Sequence, residues 1–218
     1  MAIRAVIFDF GGVILTSPFE AFTRYEEAHG LPAGFLRGIN TRNPDTNAWA
    51  KLERSEVDLT GFAELFEAEA REAGHEVDGM AVIGLLAGTI RTEMLKALRR
   101  CHERLKTAML TNNFVAAGDR PLTRPDGAGT TDPWPMASVL DHFDVIVESS
   151  RAGVRKPDPA IYEMVCCELG VEPPEAVFLD DLGVNLKPAR AMGMTTIKVD
   201  DPAVAIAELE AVVGFPLS

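Results

Sequence analysis

The sequence predicts an α/β protein: a doubly wound, Rossmann-like parallel sheet with an inserted α-helical segment. Three observations predict it. From about residue 88 onward, short apolar runs alternate with amphipathic helical stretches, the pattern of a parallel sheet with crossover helices. Each run ends at a polar or acidic residue, where an open sheet places its ligands. Between the first run and the rest, residues 16–87 carry helical periodicity with no strand signal. Residues 1–15 and 88–218 are thus expected to form the core, and 16–87 an all-helical insertion.

The elements follow in order. Residues 5–8 (Ala-Val-Ile-Phe) are too short and too apolar for a helix and suit a buried parallel strand. It ends at Asp9, and Gly11-Gly12 lets the backbone turn. Ser17-Pro18-Phe19-Glu20 reads as a capping box with proline at the first helical position, opening a helix that stops at Gly30. Turn breaks at Leu31-Pro32, Asn43-Pro44-Asp45 and Glu56-Val57-Asp58 divide the helical region. Its clearest helix spans 59–73, with Phe62, Leu65 and Phe66 on one face and Gly74 after it. Further helices are predicted at 90–104, 158–169, 184–192 and 202–213, and strands at 107–110, 143–147, 176–179 and 195–199. Residues 118–135, rich in Gly, Pro, Asp and Thr, lack any period and read as a long excursion, with a lid or a dimer contact as alternatives.

Composition narrows the function. The chain has 218 residues, 47% hydrophobic and 25% charged, the balance of a globular protein with ample core. A net charge of −12 argues against nucleic-acid and anionic-membrane partners, though a bound cation can invert the field in one cleft. Cys101, Cys166 and Cys167 fit neither a disulfide framework nor a zinc site. No cationic leader and no bilayer-length apolar stretch is present, so the expectation is a cytoplasmic protein, monomer or homodimer.

Four polar groups stand at or near strand ends: Asp9, Thr111-Asn112, Arg155-Lys156-Pro157 and Asp180-Asp181. Singly, each admits a plainer reading as a turn, a surface lysine or a solvated acidic loop. In this order, with a helical insertion after the first strand, they resemble the haloacid dehalogenase (HAD) superfamily with a C1-type helical cap. Phe143 to Ser149, Lys156-Pro157-Asp158-Pro159 and Phe178 to Arg190 narrow the likeness to the N-terminal domain of soluble epoxide hydrolases. Asp9-Phe10-Gly11-Gly12-Val13 and Leu110-Thr111-Asn112-Asn113-Phe114 match the HAD-type domain of family-member-ten acyl-CoA dehydrogenases.

The resemblance implies a phosphatase acting on a small phosphorylated metabolite through an aspartyl phosphate on Asp9. Three carboxylates around a dianionic phosphate call for a hard, oxygen-ligated Mg²⁺. Its implied ligands are the Asp9 carboxylate, the Gly11 carbonyl and the Asp181 carboxylate. Thr111 and Asn112 are implied to hydrogen-bond the phosphoryl oxygens, and Lys156 to steady phosphoryl group and nucleophile. Asp180 would position Lys156, and Asn185 would brace the same loop. In the helical insertion, Trp49 and Arg54 read as packing and surface groups, either of which could face the cleft.

One departure from the family pattern bears on activity. Phosphatases of this superfamily carry Asp-x-Asp, the second Asp acting as general acid, and here that position is Gly11. The alternatives are therefore a dehalogenase-type hydrolase, whose halide leaves without a proton, and a catalytically weak binding domain.

Overall fold

The computed structural model of the chain describes residues 2–86, 88–113, 115–116, 120–121 and 136–217. Its centre is a parallel sheet of five strands: β1 (Ala5–Phe8), β2 (Lys106–Thr111), β5 (Val145–Glu148), β6 (Ala176–Asp180) and β7 (Thr195–Lys198). Their order across the sheet is β5-β2-β1-β6-β7. β1 is central because the chain first adds β2 and β5 on one side, then crosses to add β6 and β7 on the other. In register, Phe8 lies between Met109 of β2 and Leu179 of β6. The carboxyl ends of the three middle strands therefore open onto one crevice, the place where such sheets bind ligands.

The apolar runs are continuous because both faces of the sheet are covered. Val6, Phe8, Met109, Val177 and Leu179 point into one layer with Met94, Leu95 and Leu98 of α6 (Thr92–His102) and Leu209 of α11 (Pro202–Val213). Ala5, Ile7, Ala108, Leu110 and Phe178 point into the other. There they meet Ile161, Tyr162 and Val165 of α9 (Pro159–Leu169) and Leu186 of α10 (Gly183–Ala191). The period of two along each strand thus builds two cores from one sheet. α9 starts on the Asp158 side-chain cap (Oδ1 accepting from Ala160 N–H, 2.9 Å) and ends at Gly170 in the left-handed conformation.

Among the described residues, five α-helices lie between β1 and α6: α1 (Phe19–Ala28), α2 (Phe35–Thr41), α3 (Ala48–Glu53), α4 (Leu59–Glu72) and α5 (Gly79–Gly84). They close around a third apolar cluster of their own, with Phe22, Leu36, Trp49, Phe62 and Phe66 at its heart. Polar side chains there bind main-chain N–H groups near helix starts. Glu26 accepts from Gly34 and Leu36 N–H at 2.7 and 2.9 Å, Asn47 from Ala50 N–H, and Glu69 from Ala48 N–H. The two connecting strands of chain run side by side: Leu15 pairs antiparallel with Ile90, and Thr16 N–H donates to Thr89 O at 2.8 Å.

Two expectations change. Ser17 does not cap α1: Pro18 is already helical (φ −67°, ψ −11°) and stands as the cap residue, so Ser17 falls outside the helix. Its hydroxyl instead reaches toward Asp181 Oδ2 at 3.5 Å. Within the long excursion, Arg120–Pro121 (β4) pairs antiparallel with Val115–Ala116 (β3). The remainder of the 118–135 expectation lies outside the described residues. Short helices α7 (Met136–Leu140) and α8 (Ser149–Ala152) flank β5. Among the described residues no helix is long and apolar enough to cross a membrane.

Candidate active site

The polar groups singled out in the sequence converge at the carboxyl end of the sheet. Asp9 follows β1, with its N–H donating to Leu179 O (2.8 Å), so the nucleophile candidate is fixed to the neighbouring strand at its first atom. Behind it the chain makes one wide turn, closed by Leu15 N–H to Phe10 O at 2.8 Å. Gly11 in this turn has an ordinary extended backbone (φ −72°, ψ 127°), and a Cβ there would meet nothing within 4 Å. Gly12 is different: it takes φ +82°, and the Asp181 carboxylate packs directly against it.

Lys156 sits between two carboxylates. Its Nζ lies 2.8 Å from Asp9 Oδ1 and 2.7 Å from Asp180 Oδ2, with only 1% of the residue exposed. Asp180, at the end of β6, is wholly enclosed and satisfied by its surroundings. Its Oδ1 accepts from Leu182 N–H at 2.8 Å, and Asn185 Nδ2 reaches both oxygens at 3.1 Å. Asn185 is itself fixed, since the buried Tyr162 hydroxyl donates to its carbonyl at 2.7 Å. Asp180 thus contacts both the lysine and Asn185.

Asp9, Asp180 and Asp181 each offer an oxygen within 4.8 Å of the others, and among the described residues they are the one group of this kind. One ammonium cannot serve three carboxylates, and the proton affinities reflect it. Burial, then Asp180 and Asp181, push the Asp9 carboxyl up to about 8, against the pull of Lys156. Burial and then Asp180 push Asp181 up to about 6. Burial alone would lower Lys156, but Asp180 and Asp9 more than reverse this and hold it charged. A divalent cation would relieve the surplus negative charge, so the donor set fits a hard, oxygen-ligated ion such as Mg²⁺.

Thr111 ends β2, buried at the same rim and paired in register with Glu148 of β5. Asn112 follows it, but its side chain is committed elsewhere. Nδ2 donates to Lys156 O (3.0 Å), and Oδ1 accepts from Lys156 N–H (2.9 Å). Its amide therefore holds the lysine segment, which is not the contact with a phosphoryl group expected of this side chain.

Several neighbours carried no signal that set them apart. The Asn113 amide bonds Glu148 (2.6 Å) and its Oδ1 accepts from the Ser150 hydroxyl (2.8 Å). The buried Ser149 hydroxyl bonds the Glu53 carbonyl of α3 at 2.7 Å. Glu53 Oε2 lies 2.6 Å from Arg155 Nε. Of the two residues weighed in the helical insertion, Trp49 is buried against Phe62 and Phe66, and Arg54 pairs with Glu56. Glu53, unremarked in the sequence, contacts the chain that follows β5 through its carbonyl and its carboxylate.

Comparison with known proteins agrees with this architecture. The family model for haloacid dehalogenase-like hydrolases matches residues 3–193. Acyl-CoA dehydrogenase family member 10 of Mus musculus is 37% identical over 98% of this chain and 19% of its own length. Bifunctional epoxide hydrolase 2 of Sus scrofa is 34% identical over 100% of this chain and 40% of its own length. The chain thus spans less than half of either relative. Among solved structures, a HAD family enzyme from Bacteroides thetaiotaomicron in complex with magnesium and inorganic phosphate shares the fold. Its TM-score is 0.61 at 21% identity, over 90% of this chain and 94% of that one. With the family model matched over most of its length, the chain belongs to the haloacid dehalogenase-like hydrolases.

Proposed function

We propose that this hydrolase is a Mg²⁺-dependent phosphatase of small phosphorylated metabolites, working through an aspartyl phosphate on Asp9. The observation that carries the reading is the convergence of Asp9, Asp180 and Asp181 within 4.8 Å around a single lysine. That arrangement is costly on its own and becomes favourable once a cation and a phosphoryl group share the crevice. The fold neighbour that holds magnesium and inorganic phosphate supports the same chemistry by likeness.

In this reading the Asp9 carboxylate, the Gly11 carbonyl and the Asp181 carboxylate would hold Mg²⁺. The ion would neutralise charge on the phosphoryl oxygens. Lys156 fixes one Asp9 oxygen at 2.8 Å, which leaves the other free to attack phosphorus. The bond to the leaving oxygen breaks as the Asp9–phosphorus bond forms, and water later hydrolyses the acyl phosphate. The Thr111 hydroxyl and the Asn112 main-chain N–H steady the phosphoryl oxygens, and Lys156 adds a fixed charge beside them. Asp180 and Asn185 hold Lys156 in that position. Residues 16–87 act as a cap, hinged on the paired strands at Leu15 and Ile90, that admits substrate and then excludes water.

No carboxyl stands at Gly11 to protonate the leaving group. Substrates whose leaving group needs little protonation, such as acyl phosphates and anomeric sugar phosphates, suit the site best. Gly11 alone would equally favour halide release from a haloacid, but three carboxylates repel that substrate's own carboxylate. Phosphate release from a panel of phosphomonoesters and acyl phosphates, with Mg²⁺ and with EDTA, tests the proposal. Turnover that EDTA removes is expected. Absence of release across the panel would overturn it and turn attention to halide release and to binding without turnover.

A further inference from the structure

The segment carrying Lys156 is held from two sides. On the sheet side, the Asn112 amide bonds both the N–H and the C=O of Lys156. On the helical side, the preceding residue reaches into the insertion. Arg155 Nε lies 2.6 Å from Glu53 Oε2 at the end of α3, and Arg155 Nη1 donates to Pro44 O at 2.9 Å.

Two further contacts tie the same end of α3 to the chain that follows β5. The Ser149 hydroxyl donates to Glu53 O at 2.7 Å, and the Ser55 hydroxyl to Ser150 O at 3.0 Å. All four contacts join residues 44–55 to residues 149–155, immediately before the lysine. They form a dock for the helical layer that is separate from the covalent linkers at Leu15 and Ile90.

The Glu53–Arg155 pair ties the end of α3 to the residue just before the lysine. Both side chains are largely enclosed, at 16% and 21% exposure. The two charged groups approach to 2.6 Å. Burial raises the Glu53 carboxyl, with Arg155 and then Lys156 drawing it down, so Glu53 feels the lysine as well as its partner.

We infer that Glu53 and Arg155 are positioning residues for Lys156. When the helical layer docks through this pair, the Arg155 side chain is clamped, and the adjoining Lys156 peptide is fixed between cap and Asn112. The ammonium then stands between Asp9 and Asp180. When the layer lifts, the segment is held from the sheet side only, by the Asn112 amide on its main chain and by Asp9 and Asp180 on its ammonium. Closure over a substrate and readiness of the lysine are thus one event. The inference rests on the phosphatase reading for what Lys156 does, but the mechanical coupling it describes can be measured without turnover.

The test compares the wild-type chain with Glu53→Gln, with the double variant Glu53→Gln/Arg155→Gln, and with Arg155→Lys. The double variant removes both charges together and leaves neither unpaired, so it guards against simple failure to fold. Amide hydrogen exchange of the metal-free proteins is read at residues 154–156, with the sheet strands as internal reference. Exchange there is expected to speed up about tenfold or more in both neutral variants while β1 and β6 stay protected. With Mg²⁺ and a phosphomonoester, kcat is expected to fall about ten- to a hundredfold with KM little changed, the mark of a misplaced catalytic group. Arg155→Lys, which keeps the charge, should recover part of both effects. Unchanged exchange at 154–156 in folded neutral variants would overturn the coupling, whatever their turnover. Altered exchange with wild-type kcat would overturn the positioning role. A wild-type chain without turnover would refute the phosphatase reading and leave the exchange result to decide the coupling.

Discussion

A Cβ placed on Gly12 would stand 2.3 Å from Asp181 Oδ2. The two residues come from opposite ends of the chain, and their contact welds the turn after β1 to the loop after β6. Gly12 also takes φ +82°, where an L side chain costs about 1–2 kcal/mol. Gly12→Ala is therefore expected to lower the melting temperature and to displace Asp181, with Mg²⁺-dependent turnover falling about tenfold or more. Gly11→Ala is the control. Its backbone is ordinary and its Cβ meets open space, so stability should stay within about 0.5 kcal/mol of wild type. Thermal unfolding of the two variants side by side decides it, and equal losses would show that the Gly12–Asp181 contact is not what constrains the turn.

The same open space makes the missing acid testable. Gly11→Asp introduces a carboxyl at the position that family phosphatases use to protonate the leaving group, and the backbone there accepts any residue. Turnover of alkyl phosphates should rise, up to the roughly 10²–10⁴-fold that general acid catalysis supplies. Acyl phosphates, whose leaving group needs little help, should gain much less. A folded, metal-binding variant with no gain on alkyl phosphates would mean that another group already protonates the leaving oxygen.

How much of this was legible in the sequence depended on whether a feature was local. Val177-Phe178-Leu179 reads as a strand because a parallel strand buried on both faces must be apolar throughout, and Asp180-Asp181 then marks its rim. Asp9, Asp180 and Asp181 stand out for the same reason, as polar groups at the ends of apolar runs, whereas Lys156, beyond α8 and before α9, stands out only through the family resemblance. What failed to show was set by tertiary partners. Ser17 satisfies the pattern of a helix cap, but Pro18 already adopts helical angles and Asp181 competes for the hydroxyl. Asn112 is in the expected place, yet no pattern distinguishes an amide aimed at a ligand from one spent on the Lys156 backbone. The Glu53 carbonyl and Ser149 meet across 96 residues, between two short helices with no period long enough to read.

Asp9 and Asp180 both touch Lys156, but their loss should have opposite consequences. Asp9→Asn leaves the ammonium paired with Asp180 at 2.7 Å, so folding should survive while Mg²⁺-dependent turnover disappears. Asp180→Ala removes the acceptor for Lys156, Leu182 and Asn185 together and exposes a buried cation to an incomplete partner set. Breaking a buried pair in this way costs about 3–5 kcal/mol. Denaturant melts of the two variants check the contrast. Wild-type-like turnover in Asp9→Asn would sink its assignment as nucleophile.

The surplus of carboxylates also fixes a sign for the dependence of stability on pH. Asp181 is raised from 3.8 to about 6, and Asp9 from 3.8 to about 8, both chiefly by burial. The folded, metal-free chain therefore binds protons that the unfolded chain has already released. Stability contributed by these groups is intact below their unfolded pKa near 4 and declines as pH rises through their folded values. A cation that takes the place of those protons should do the reverse. Added Mg²⁺ is expected to raise the melting temperature little near about pH 5 and progressively more toward about pH 8, as the competing protons leave. Each kcal/mol so gained moves the midpoint of a chain this size by roughly 2–4 °C. Asp181→Asn should flatten both the decline without metal and the rise with it. Melting curves across this range, with EDTA and with Mg²⁺, measure both. A Mg²⁺ increment of equal size at the two ends would mean that the ion binds away from Asp9 and Asp181, whereas a slope that vanishes in Asp181→Asn would tie it to this crevice.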